Sequence, residues 1–497
     1  MNKKAIIIGS GFAGLSAASF LAKAGWEVTV LEKQPGPGGR AGQWIAEGFR
    51  FDMGPSWYWM PEVFDRYFAQ FGKKTGDYYT LQRLDPSYRI YDTDGAMDIP
   101  ADYEALKRLF ASIEKGADHQ LDRFLNGAAY KYRVGMEKLV FRPGRSLTEF
   151  LDRDLLTGLF KLDVFRSMRS HVKQYFRHQK LRRLMEFPVL FLGAMPDQIP
   201  ALYSLMNYAD IRGGTWYPEK GMYQVVEAMY TLALALGVRF HFEEAAEAIT
   251  VQDHVATGVV TNRQGNRVTH TADAVIAAAD YHHVETCLLP AQYRSYSDAY
   301  WNKRVMAPSC LLYYVGLSTR LSGITHHSLF LDADFDMHGR QIYHEPQWPS
   351  NPLFYACASA VTDPGAAPAG CENLFLLVPV AAGLQNDDEA LREDYFRRII
   401  RRMEKHTGQQ IEKHIMYKKT FANSDFVYAY NSFKGNAYGL ANTLLQTALL
   451  KPACKSKKVS NLFFTGQLTV PGPGVPPSLI SGEVVAGEVQ KMFDRKK

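Results

Sequence analysis

The chain has 497 residues, enough for two or three domains, and 46% of them are hydrophobic, as in a globular protein with a large core. A net charge of +6 excludes a strongly basic nucleic-acid binder, and neither zinc-finger spacing nor an RNP-like run occurs. The 5 cysteines are scattered without a Cys-x-x-Cys, and no apolar run approaches the ~20 residues that span a bilayer, which excludes a disulfide framework and a membrane-spanning helix.

Residues 5–8 are an apolar run that reads as a strand. The turn Gly9-Ser10-Gly11-Phe12-Ala13-Gly14 follows, then a helical stretch from Leu15 to about Ala24 and a second strand over 27–31 that ends at Glu32. Gly9 permits the tight turn, Gly11 lets the backbone approach a pyrophosphate, and Gly14 lets helix pack on strand. The helix start, from Phe12 and Ala13 onward, offers N–H groups to that pyrophosphate. Glu32, 18 residues after Gly14, is placed to accept from ribose hydroxyls, and Lys33 lies beside it. A carboxylate there repels a 2′-phosphate, so FAD or NAD is expected rather than NADP. Gly38-Gly39-Arg40 then supplies a second close backbone approach, with Gly39 at its centre, and Arg40 adds a fork of donors for phosphate or flavin oxygens.

Two short strands around Glu47-Gly48 read as a hairpin, and Asp52-Met53-Gly54-Pro55-Ser56 turns the chain. Trp57, Tyr58 and Trp59 follow, either as core or as the wall of an apolar ligand site. Residues 61–208 read as mostly helical, with short β segments near 88–91, too long for a loop and expected to form a second domain. Within them, 161–183 is densely basic, and the apolar but proline-interrupted run 187–196 comes directly after. This is either a cationic helix face beside core packing or a monotopic membrane contact, with cations on headgroups and apolar residues below.

A loop over 213–222 leads into a helix through Leu236. Strands over 238–242, 249–251, 256–261 and 272–280 return the chain to the nucleotide domain. Strands over 310–317, 353–359 and 374–380, with a helix over 389–406, complete the sheet of a substrate domain. The histidine pairs His282-His283 and His326-His327 are expected to diverge, since neighbours in a strand point to opposite sides, and no HExxH or facial-triad spacing occurs, so no metal is expected. At the C-terminus a strand over 462–465 enters a Pro/Gly turn and a helix from about Pro477 to Phe493, whose N-terminus is a positive dipole end.

The string from Ala5 to Arg40 resembles the extended dinucleotide motif of flavoproteins related to amine oxidases and phytoene desaturases. The C-terminal segment resembles the signature of bacterial-type phytoene desaturases at Asn461, Phe463, Gly466, Thr469, Pro471-Gly472, Gly474-Val475 and Ser481, and departs from it at Gln467, Leu468, Val470 and Pro473. Gly193-x-x-Pro196 and Tyr217-Pro218-x-x-Gly221 extend the resemblance through the middle. It implies an α/β fold: a Rossmann-like FAD-binding domain of the glutathione-reductase type, an inserted α+β substrate domain, and a helical, membrane-associating segment. The corresponding boundaries are 1–60, 211–290 and 441–497 for the FAD-binding parts, 61–210 for the helical insert and 291–440 for the substrate sheet.

The resemblance also implies non-covalent FAD, held by the residues of the first motif, by the turn Gly54-Pro55-Ser56, by the Ala246 backbone at the adenine, and by Gly466, Gln467, Gly474 and Val475. The substrate would be an apolar polyene, such as phytoene, losing a hydride to the flavin and a proton to a base or water. The electrons would pass to a quinone or oxygen. Asp152 and Arg153 are the candidate acid/base pair. The start Met1-Asn2-Lys3-Lys4 is followed by too short an apolar stretch for a signal peptide, so the protein is expected in the cytoplasm, peripheral on the membrane face. Carotenoid isomerisation, desaturation of C30 or hydroxylated carotenoids, amine oxidation, and flavin-free lipid carriage like that of prenyl-protein escorts remain as alternatives.

Overall fold

A computed structural model describes residues 3–146, 149, 162–263 and 265–494. Its first element, β1 (Lys4–Ile8), is buried along Ala5 to Ile8, which suits the centre of a parallel sheet covered on both faces. The sheet has five strands in the order Leu462–Phe464, Ala274–Ala277, β1, β2 (Glu27–Leu31) and Arg239–His241, all parallel. Chain segments more than 400 residues apart in sequence therefore share one sheet. Helix α1 (Phe12–Lys23) joins β1 to β2 and presents Ala13, Ala17 and Ala18 to its neighbours.

Those small residues let the C-terminal helix, Val475–Asp494, lie directly on α1. A Cβ on Gly482 would sit 2.4 Å from the Ala13 carbonyl oxygen, and the Ser16 hydroxyl donates to the Leu479 carbonyl at 2.7 Å. The two ends of the chain are thus packed backbone against backbone.

Beside this sheet stands an antiparallel meander, Ala245–Gln252, Val255–Arg263 and Asn266–Thr271. Its third strand carries no apolar periodicity and was not expected from sequence; its residues are exposed or half-buried.

The second sheet has seven strands in the order Ile415–Phe421, Ser309–Leu317, Glu372–Val380, Phe354–Cys357, His327–Phe330, Tyr88–Asp92 and Gly95–Ile99. Every pairing is antiparallel except that of Tyr88–Asp92 with His327–Phe330. Tyr88–Asp92 is the β segment expected near 88–91, and Gly95–Ile99 was not expected in the stretch read as mostly helical. Ile415–Phe421 and His327–Phe330 escaped the sequence reading for different reasons. The first is an edge strand bearing Lys418 and Lys419; the second has only 4 residues and begins with a histidine.

One face of the sheet is covered by the helix Glu389–Thr407, which sets Phe396, Ile399 and Met403 against Leu311, Tyr313 and Leu376. The other face takes Phe49 and Phe51 of the hairpin Gln43–Ala46/Phe49–Asp52, then the helical segments through Phe110, Phe124 and Phe187. A Cβ on Gly316 would lie 2.5 Å from the Phe49 ring, so that hairpin is pressed onto the central strand.

The apolar run after the basic stretch is spent on this core: Phe187, Val189, Leu192, Ala194 and Met195 are buried. The described apolar side chains of this run therefore face the core rather than lipid. Part of the basic stretch is likewise neutralised within the protein. Arg169 meets Asp336 at 2.5 Å and Glu186 at 3.6 Å, and Lys180 meets Asp94 at 3.1 Å. Lys161 lies outside the described residues. Among those described, no helix is long and apolar enough to cross a membrane.

Candidate active site

The glycine turn after β1 is built by contact. Gly9 sits at φ +102°, and a Cβ on Gly14 would fall 2.1 Å from the Gly9 carbonyl oxygen, so neither position accepts a side chain. Gly11 differs. It caps α1 with no side chain, and a Cβ there would meet nothing nearer than the Gly38 oxygen at 4.0 Å. The first-turn N–H groups from Phe12 and Ala13 onward have no partner within the helix, and the Gly11 side of that turn is open. Gly38 donates to the Ser10 carbonyl at 3.0 Å, and Gly39, at φ +55°, brings its α-carbon beside Gly11. These two turns form facing walls of a cradle.

Glu32 ends β2 as a buried carboxylate. It accepts from the Ser10 N–H at 2.8 Å, the Ser10 hydroxyl at 2.7 Å and the Gln34 N–H at 2.9 Å, which fix its orientation beside the cradle. The Glu32 carbonyl accepts from Glu244 N–H at 2.9 Å, so the meander carrying Ala246 is anchored at the same place. The Lys33 ammonium instead donates to the Tyr428 carbonyl at 2.8 Å, and burial lowers its pKa.

Arg40 is the junction of the site. Its Nη2 donates to the Ser432 hydroxyl at 2.9 Å, and its guanidinium lies 5.4 Å from the centre of the Tyr430 ring. With the Gln467 amide oriented to satisfy both its ends, Gln467 oxygen accepts from Nη2 at 3.1 Å. Burial lowers the Arg40 pKa, opposed by the Asp280 carboxylate, itself raised by burial. The Arg40 Nε is buried with no partner among the described residues, a costly state unless a ligand supplies the acceptor. A Cβ on Gly54 would lie 2.5 Å from the Arg40 carbonyl oxygen, so the turn Gly54-Pro55-Ser56 presses on it from the other side. The Ser56 hydroxyl turns away to the Tyr355 hydroxyl at 2.8 Å.

The C-terminal signature closes the cradle. Gly466, at φ +110°, lies against Ala13, and its N–H donates to the Ser481 hydroxyl at 3.0 Å. Gly474, also at φ +110°, precedes Val475, where the last helix begins. The motifs read at both ends of the sequence therefore converge on one place. The candidate acid/base residues Asp152 and Arg153 lie outside the described residues.

Three groups near this site depart from the sequence reading or lie outside it. Asp52 is half-buried and its carboxylate raised by desolvation, although it accepts from the Tyr217 hydroxyl at 2.8 Å and from Met222 N–H at 3.0 Å. The motif Tyr217-Pro218-x-x-Gly221 was its available signal. Lys451 is buried with its ammonium nitrogen unpartnered among the described residues, 3.4 Å from where a Cβ on Gly472 would stand. Third, the expected divergence of His326 and His327 is corrected: their ring centroids are 4.5 Å apart. Only His327 belongs to the strand, so strand alternation does not govern the pair.

The open space above Gly11, the buried acceptor at Glu32 and the orphaned Arg40 Nε fit a dinucleotide laid along the cradle. Residues 12–490 match the family model described as flavin containing amine oxidoreductase. The chain belongs to this family. It is an FAD-dependent oxidoreductase of the bacterial phytoene-desaturase-like kind within the flavin amine oxidoreductases. It is 42% identical to a carotenoid 3,4-desaturase of Haloarcula japonica, over 97% of this chain and 96% of that one. It is 31% identical to a zeta-carotene-forming phytoene desaturase of Myxococcus xanthus, over 97% and 93% of the two chains. An oxidoreductase structure from Methanosarcina mazei superposes with a TM-score of 0.62 at 16% identity, covering 97% of this chain and 100% of that one, which speaks for the fold alone. Bound FAD supplies the two-electron acceptor. The residues above would hold it: the glycine cradle and helix start would take the pyrophosphate, Glu32 the ribose, and Arg40 with the C-terminal turn the flavin.

Proposed function

We propose that the protein desaturates a linear carotene, removing two hydrogens from a saturated bond beside an existing polyene. The observation that carries this reading is whole-length likeness to enzymes named for carotenoid desaturation, at 42% and 31% identity. Phytoene, giving lycopene-type products, is the substrate expected from sequence. The higher identity to a carotenoid 3,4-desaturase favours a second reading, in which the 3,4 bond of an already conjugated carotenoid is oxidised. In either case the protein's own part is to hold an apolar chain against the flavin, exclude water and pass on one proton, with a quinone or oxygen taking the electrons. Trp57, half-buried between the Gly54 turn and the seven-stranded sheet, supports an apolar wall there.

A membrane-drawn substrate requires a docking surface, and the exposed leucines Leu444, Leu445 and Leu450 with Val305 support one. Gln446 ties Val305 to them, accepting its N–H at 2.9 Å and donating to its carbonyl at 2.8 Å. We place peripheral contact here rather than at 187–196, where the described apolar side chains pack into the core.

Expression in cells that accumulate phytoene, and separately in cells that accumulate lycopene, tests both readings by chromatography and absorption of the extracted pigments. A lengthened chromophore from phytoene supports the first reading; one from lycopene alone supports the second. Unchanged pigments in both hosts, with peroxide formed from added amines, would replace both with amine oxidation.

A further inference from the structure

We propose that His326, His327 and Cys357 form a site for a thiophilic divalent cation of the zinc class, set inside the seven-stranded sheet. One ligand atom from each residue lies within 4.8 Å of the others. The sheet itself makes the juxtaposition: His327 and Cys357 are register partners on adjacent antiparallel strands, and His326 folds in from the residue before the strand. The three are 3%, 0% and 4% exposed, so this is a buried group rather than a surface cluster.

The hydrogen bonding is that of ligands with one ring nitrogen left free. His326 Nδ1 meets the Thr362 hydroxyl at 2.8 Å, and His327 Nδ1 meets the Tyr355 hydroxyl at 2.6 Å. Tyr355 in turn meets Ser56 at 2.8 Å, so a chain running from His327 Nδ1–H through Tyr355 to Ser56 satisfies each donor once. This arrangement leaves the lone pair on Nε2, and both Nε2 atoms are buried without a partner among the described residues. Metal-bound imidazoles are oriented in this way, by a hydrogen bond at the nitrogen that does not ligate. Two buried imidazole nitrogens with nothing to pair with are costly, and a cation supplies the missing partner.

Geometry and charge agree. Zinc–nitrogen and zinc–sulfur bonds of about 2.0–2.3 Å place tetrahedral ligand atoms about 3.3–3.6 Å apart, a spacing that ring rotation and a shift of about an ångström reach from ligand atoms no more than 4.8 Å apart. On binding, the Cys357 thiol releases its proton to solvent and the thiolate becomes the third ligand. The cation and thiolate together leave one positive charge. The Asp52 carboxylate accepts from the Tyr217 hydroxyl at 2.8 Å, and the Tyr217 ring packs 4.2 Å from that of His326. Asp52 is therefore placed to offset the residual charge. The three ligands leave a fourth position open and join two strands behind Ser56.

The test uses FAD-loaded protein dialysed against a chelator and titrated with Co(II). One equivalent is expected to bind, with visible d–d bands at wavelengths beyond the flavin's absorption, a thiolate-to-cobalt band, and release of one proton per metal. Zinc should displace the cobalt. Cys357→Ser should remove the thiolate band, and Tyr355→Phe, which frees the Nδ1 contact of His327, should weaken cobalt binding about 10–100-fold. Wild-type protein that binds no cobalt, or binds it with no thiolate band, overturns the proposal without recourse to any variant. So does full cobalt affinity in a folded His326→Gln/His327→Gln protein.

Discussion

Lys451 offers the sharpest test of the electrostatics of the C-terminal turn. The residue is 5% exposed, and its ammonium nitrogen lacks a partner among the described residues. Burial pushes its pKa from 10.5 to about 7. One pH unit is worth about 1.4 kcal/mol, so holding this amine in the folded chain costs about 4 kcal/mol at pH 7 relative to leaving it in water. Lys451→Met keeps the apolar stem and removes the amine. The unfolded chain binds the extra proton between pH 7 and 10.5 while the folded chain does not, so wild-type stability rises with pH through that window. The variant lacks this slope. It should be more stable than wild type by about 4 kcal/mol at pH 7, with the gap closing by about 1.4 kcal/mol per pH unit toward pH 10. Denaturant unfolding at fixed FAD concentration and pH 7, 8 and 9 measures it. A changed FAD affinity displaces the gap equally at each pH, so the slope is diagnostic. A gap that stays constant with pH, or a variant less stable at pH 7, would refute the reasoning.

Four further outcomes follow from the geometry. Glu32→Gln should weaken FAD by about 1.5–3 kcal/mol, read by quenching of flavin fluorescence, because a charged acceptor at the ribose becomes a neutral amide. Gly482→Val should lower stability by about 1–3 kcal/mol and loosen FAD together, since its Cβ would stand 2.4 Å from the Ala13 oxygen; thermal melts with and without FAD check this. Asp210, raised by burial to about 6, receives the Tyr88 hydroxyl at 2.9 Å and the Thr215 hydroxyl at 3.0 Å. The folded chain then holds a proton that the unfolded chain loses between pH 3.8 and 6, so wild-type stability falls as pH rises, and Asp210→Asn should be more stable by about 3 kcal/mol at pH 7 and by nothing below pH 3.8. Leu444→Ser/Leu445→Ser should reduce co-sedimentation with anionic vesicles while leaving the melting temperature within a degree or two of wild type, as expected for exposed side chains.

What was legible in the sequence follows from where the backbone itself is constrained. Gly9, Gly14, Gly54 and Gly466 announce themselves because no other residue fits a positive φ or a sub-van-der-Waals approach, and such needs repeat at fixed spacing. Fully buried central strands such as Ser309–Leu317 were legible as apolar runs. The exposed strand Asn266–Thr271 and the charged edge strand Ile415–Phe421 were not, since pairing rather than apolar pattern makes them strands. The histidine–cysteine group was invisible for a further reason: 30 residues separate His327 from Cys357, and only the register of the sheet brings them together. The helix boundaries at the C-terminus were read within about 2 residues, because the Pro/Gly turn marks the start.

The placement of α1 explains why the two signatures cannot act separately. It is held between its own strand β1 and the C-terminal helix, and Gly466 abuts the Ala13 side chain in its first turn. The N–H groups that would face a pyrophosphate and the turn that would face the flavin are therefore fixed by one packing contact, between Ala13, Ser16 and Gly482. Binding FAD to such a site stabilises the contact by RT ln(1 + [FAD]/Kd), about 2.7 kcal/mol at a hundredfold excess over Kd. Removing the C-terminal helix would take away one wall of α1 and half of the cradle at once. The cofactor is thus a part of the folding equilibrium of both chain ends, and substitutions at either end should be read first through FAD retention and only then through turnover.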